Sequence, residues 1–139
     1  MTTHILQPAS SVRSMLDIPK FCFLLASITI VIGMGLGLYM ALAQDHQLGP
    51  VHAHLNVIGW LSLFMLGLYY RVHPAARGTW VTLQVATMTA GYILMTANLA
   101  GLLLSGNGIF LAGAFAGSAL LIASMLMLVA IVWRTAVEA

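Results

Sequence analysis

The residues with the most chemical capacity in this chain stand where a polar side chain costs most. In Gly49-Pro50-Val51-His52-Ala53-His54-Leu55-Asn56-Val57-Ile58-Gly59-Trp60, two imidazoles and a carboxamide open an otherwise apolar stretch. Such groups inside an apolar span usually face protein, water or a cofactor rather than lipid. Two residues along a helix is a rotation of about 200°, so His52 and His54 point to nearly opposite faces. A regular helix therefore cannot turn both onto one metal ion, as a pair four apart does. Either they serve two sites, or one is a ligand and the other is structural. The plain alternative makes both interfacial residues bonded to loop carbonyls or headgroups. A His-x-His within one turn, followed by Asn56, Gly59 and Trp60, puts a cofactor ahead of that alternative.

Haem is the cofactor that the available chemistry favours. Imidazole nitrogen is a standard axial ligand of haem iron. One cysteine (Cys22) and three carboxylates (Asp17, Asp45 and Glu138) leave no thiolate or carboxylate set for another metal. The single cysteine also removes disulfide frameworks and covalent haem attachment through C-x-x-C-H. Gly59, Gly67 and the run Gly33–Gly37 offer space for a flat macrocycle, and equally for plain helix packing.

The elements that must position these residues are membrane spans. The 139-residue chain is 61% hydrophobic and 6% charged, with a mean hydropathy of +1.01. Soluble chains are about a quarter charged. The formal charge of +2 is too small and scattered for a nucleic-acid footprint. Four apolar stretches, 21–43, 52–70, 80–104 and 109–133, each approach the roughly 20 residues that a helix needs to cross a bilayer. Strands in a barrel would be about half as long and would alternate apolar with polar. The expected fold is one domain, an all-α bundle of four transmembrane helices. Gly49-Pro50 opens the second helix, Arg71-Val72-His73-Pro74 closes it, and Ser105-Gly106-Asn107-Gly108 forms a tight turn. Arg13, Lys20, Arg71, Arg77 and Arg134 all fall on one side if both termini are cytoplasmic, the side where basic residues collect. Residues 1–17 read as a short cytoplasmic or interfacial lead-in. Ala41-Leu42-Ala43 resembles a signal-peptidase site, but the apolar stretch before it is long for a signal peptide, so the first helix is expected to be retained.

Other features rank below the histidine pair. Gly33, Gly35 and Gly37, with Gly113 and Gly117, suit close helix approach within the bundle or between copies. Asp45 and His46 are loop residues that hydrogen-bond a ligand's second ring nitrogen, bind copper weakly, or are solvated, which is the default. Asn56 bonds a neighbouring helix or a haem propionate. Trp60, Tyr69 and Tyr70 stack near a macrocycle or anchor the interface, and Tyr69-Tyr70-Arg71 fits an inner aromatic belt. The nine methionines are scattered as core filler.

His52-Ala53-His54, with Gly59-Trp60, Gly67 and Tyr69-Tyr70 in register behind it, resembles the His-x-His helix of subunit I of the haem–copper oxidases. The likeness is to the cbb-type branch and its nitric oxide reductase relatives. It covers about 20 residues. In that family the first histidine of the motif binds the high-spin haem and the second the low-spin haem, so the resemblance implies that His52 and His54 are ligands facing different haems, with haem b (iron) as the cofactor. Copper is not implied with it. The family holds copper with three histidines on other helices, and this sequence has none there: His4, His46 and His73 lie outside the spans. His73 stands 19 residues beyond His54, about 28 Å along a helix. One chain therefore cannot build the reductase centre. The family's twelve-helix subunit resembles three arcs of four helices, which suggests a homotrimer of this four-helix chain with each haem between His54 of one protomer and His52 of the next.

The expected function is a b-type haem protein of a bacterial-type inner membrane that transfers electrons, since two histidines on one iron leave no open position. A five-coordinate haem that binds or senses nitric oxide or oxygen is the alternative. A cofactor-free accessory or assembly protein is a third. The sequence carries no docking motif for quinone or cytochrome that names a redox partner.

Overall fold

The structure is a computed structural model, and it describes residues 17–74 and 76–137. Among these residues the fold is all-helical, with no strand. Helix α1 is Ile18–Ala43, α2 is Gly49–Val72, α3 is Thr79–Ser105 and α4 is Ile109–Val137. All four are long and apolar enough to cross a bilayer, as in a multi-pass membrane protein.

The helices run a few residues past the expected ends because caps continue them into the polar flanks. The Asp17 carboxylate accepts a hydrogen bond from the Lys20 amide, with a proline in the first turn of α1. The turn after α3 closes through Gly106 at φ +65°, whose amide donates to the Leu102 carbonyl. That left-handed conformation suits glycine. The Asn107 side chain then accepts from the Ile109 amide at the start of α4.

The second span is not one regular helix. Gly49–His54 and Leu63–Val72 are α-helical, and Leu55–Ser62 between them is π-helical. Ser62 Oγ donates to the carbonyl of Val57, five residues back. The burial pattern explains this wider turn. Val51, Leu55, Gly59 and Leu63 are all buried at intervals of four. In an α-helix each such step drifts about 40°, so four residues would fan over a third of the circumference. The π turns absorb the drift and hold them on one face.

α1 packs along α2, α3 packs along α4, and the two hairpins meet where α2 faces α3. Gly113 and Gly117 let α4 approach the Asn98 side chain and the Met95 backbone of α3. This is intramolecular use of the small residues, whereas Gly35 on α1 meets nothing within 4 Å.

The bundle has two unlike ends. Asp17, Lys20, Arg71, Arg77 and Arg134 line adjoining clefts at one end, so the described basic residues gather as the sequence predicts; Arg13 lies outside the described residues. The other end carries the α1–α2 loop, where the Asp45 carboxylate accepts from the Gln47 amide and the Gln47 side chain donates to the Leu103 carbonyl of α3. These are called the inner and outer ends below. Tyr70 departs from the expected aromatic belt: it is 5% exposed, and its hydroxyl donates to Gln84 Oε1 inside the core at 2.9 Å.

Candidate functional site

The histidine pair lies in the first turns of α2 at the outer end, just before the helix widens. Both residues precede the π segment, so the α-helical rotation holds between them and they face different surroundings. His52 enters the crevice between α2 and α1. Its Nδ1–H donates to the Gly33 carbonyl at 2.9 Å. A carbonyl only accepts, so Nδ1 carries the proton and Nε2 holds the lone pair. That lone pair accepts from the Asn56 amide nitrogen, also at 2.9 Å. Asn56 thus bonds within its own helix rather than to a neighbouring one.

The crevice is cut for these two side chains. A Cβ at Gly37 would come within 2.8 Å of His52 Cε1, and one at Gly33 would overlap the Asn56 carboxamide. Glycines four apart on α1 therefore receive His52 and Asn56, four apart on the antiparallel α2. Gly59 continues the pattern, since a Cβ there would overlap Thr29 and the Tyr92 ring. Gly67 packs on Cys22 and Phe23 in the same way. Gly33, Gly37, Gly59 and Gly67 are thus filled from within the chain, whereas Gly35, in the same run, faces open space.

His54 is held differently. Its Nδ1–H donates to the Pro50 carbonyl at 2.6 Å, one turn back on the same helix. In the neutral ring this again leaves the lone pair on Nε2, and among the described residues nothing donates to it. The ring is half-buried, with Ala53 and Val57 exposed beside it. A backbone carbonyl on Nδ1 is one of the ways in which a metal-ligating imidazole is fixed in one tautomer. Trp60 stands 37% exposed further along α2.

One polar atom in the crevice has no partner: Asn56 Oδ1 is buried and accepts no hydrogen bond. The Thr89 and Thr96 hydroxyls share that condition, but a threonine hydroxyl rotates toward the backbone carbonyl of its preceding turn. A carboxamide oxygen only accepts and has no such recourse. The Asn56 side chain is thus held through its amide nitrogen by His52, with its oxygen idle.

No family model, curated protein or solved structure matches the chain. The site therefore rests on its own geometry. Among the described residues no group of three His, Cys, Asp or Glu side chains converges to hold a metal ion. His46 lies in the outer loop, and His73 lies at the inner end, stacked on Tyr69 with its Nδ1 bonded to the Tyr69 carbonyl. His4 lies outside the described residues.

What the structure adds to the sequence is the acceptors. Neither the Gly33 nor the Pro50 carbonyl is a motif residue, yet each fixes an imidazole tautomer. A signal for the first was present in the matched spacing of Gly33/Gly37 with His52/Asn56. The π segment was likewise signalled by four small or apolar residues at intervals of four.

Proposed function

We propose that this chain is a membrane-embedded b-type haem protein that transfers electrons, in which His54 would hold the iron first and His52 would be the second ligand. The observation that carries this reading is the shared tautomer: both imidazoles give Nδ1–H to a backbone carbonyl, so both keep the Nε2 lone pair, and they do so toward different sides of α2. Haem, when bound, supplies a one-electron iron couple. The donor set fits it directly at His54. At His52 it fits once the Asn56 amide releases Nε2, an exchange eased because Asn56 Oδ1 gives up no partner in moving.

The filled glycine crevices support placing a macrocycle outside α2, between chains, rather than inside one bundle. This is the arrangement of the proposed homotrimer, with His54 of one protomer and His52 of the next on one iron. The resemblance to haem–copper oxidase subunit I supports the same reading, without its reductase chemistry. Basic residues at the inner end support a cytoplasmic inner face in a bacterial-type inner membrane. A second reading is favoured by one observation. His52 is bonded on both nitrogens, which leaves His54 as a lone ligand to a five-coordinate haem open to nitric oxide or oxygen.

The test is haem supplementation of the purified protein, followed by a reduced-minus-oxidised spectrum, carbon monoxide addition and haem stoichiometry. A low-spin b-type spectrum indifferent to carbon monoxide, with one haem per protomer lost on dissociation, is expected. A carbon monoxide-responsive spectrum gives the five-coordinate reading. A haem-loaded monomer overturns the shared site, and no Soret band leaves the cofactor-free accessory protein.

A further inference from the structure

Between the inner ends of α3 and α4 runs a groove of about 420 Å³, within the size range of small-molecule sites. Arg77 and Arg134 both line it, and among the described residues its lining contains no carboxylate. Trp80, an exposed side chain of the kind that settles at headgroup level, flanks it. Beyond the arginines the lining is apolar: Ala130, Met127 and Leu126 carry it along α4 toward the middle of the span. From Arg134 to Leu126 is about 12 Å of helix rise. Paired cations over an apolar track, on an exposed side of two membrane-length helices, match one class of molecule.

We propose that this groove binds an anionic phospholipid, its phosphate between Arg77 and Arg134 and the upper part of an acyl chain along Ala130, Met127 and Leu126. The neighbouring cleft also reaches Arg77 but contains Asp17 beside Arg71. A carboxylate there repels a phosphate, which assigns the anion to the α3–α4 side. Guanidinium suits this task because its fork bonds phosphate oxygens in pairs. The apolar track distinguishes a lipid from free phosphate, for which it would serve no purpose. The inference is independent of haem.

The experiment is native mass spectrometry of the full chain in detergent, titrated with phosphatidylglycerol, phosphatidylcholine or inorganic phosphate. The protein should retain one phosphatidylglycerol per protomer in preference to phosphatidylcholine, and millimolar phosphate should not displace it. R77Q/R134Q should weaken retention roughly thirtyfold, the fold-change for two interfacial charges. R77K/R134K, which keeps the charges but loses the fork, should weaken binding less than R77Q/R134Q, and K20Q, at the same end but outside the groove, should leave it unchanged. Circular dichroism confirms that each variant is folded. Equal retention of phosphatidylcholine, displacement by phosphate, or unchanged binding in folded R77Q/R134Q would each overturn the proposal.

Discussion

Two of the bundle's polar clusters differ in how much of their hydrogen-bonding capacity is used. In the inner half the Tyr70 hydroxyl donates to Gln84 Oε1, the Gln84 amide donates to Ser124 Oγ, and Ser124 Oγ donates back to the Gln84 carbonyl. Gln84 and Ser124 are fully buried. The set closes on itself and ties α2, α3 and α4 together, as polar residues do between membrane helices. In the outer half the buried Asn56 Oδ1 oxygen has no partner among the described residues, and nothing among them donates to Nε2 of the half-buried His54 ring. A buried polar group without a partner costs about 1–3 kcal/mol. A closed cluster serves the fold; an open one at the start of a helix, beside a π-bulged segment of the sort that recurs at functional sites, is where a ligand can bind.

If that contrast is right, the two clusters respond differently to substitution. The largest loss of stability is expected away from both, at Gly117→Leu, where the new side chain meets the Met95 backbone and cannot be accommodated by rotation. It should cost about 3 kcal/mol or more, read as a fall in thermal midpoint in detergent. Gly37→Leu should evict the His52 ring from its crevice and cost about 1–3 kcal/mol. Unlike Gly117→Leu, it should also alter the haem spectrum in protein that remains folded. Gln84→Leu breaks the closed cluster at its centre. It should cost about 1–2 kcal/mol and leave haem binding untouched, and a spectral change would mean that the inner cluster is not merely structural. The smallest effect on stability is expected for Asn56→Ala, which removes one hydrogen bond worth about 0.6 kcal/mol in a membrane helix. It frees His52 Nε2, so haem retention should hold or rise; a fall would show Asn56 to be a positioning residue for the ligand.

Much of the fold was legible because membrane spans obey coarse rules. Length, apolarity and short turns placed all four helices within a few residues, and the clustering of bases is borne out for the described four. Tyr70 was misread as an interfacial anchor. Its place at the inner end of α2 resembles that of an anchor, and only the facing Gln84 turns it into the core. The opposed directions of His52 and His54 followed from helix rotation alone. The matched spacing of Gly33/Gly37 with His52/Asn56 signals the pairing, but that the Gly33 carbonyl and Asn56 together occupy both nitrogens of His52 depends on contacts between helices and was not legible. The spacing of four along α2 carried the π segment, but a spacing of four is also ordinary in α-helices, where a neighbouring interval of three corrects the drift.

The central claim is that the two histidines are held in one tautomer but in different states of readiness, His54 open and His52 capped. It is tested most directly by haem retention and reduced-minus-oxidised spectra of His54→Ala and His52→Ala beside the parent protein. Loss of His54 should abolish retention by well over tenfold, since even the partners that orient a ligand are worth about 10–100-fold. Loss of His52 should leave haem bound but convert its low-spin spectrum to one that responds to carbon monoxide. Haem retained with an unchanged spectrum in His54→Ala would contradict the account.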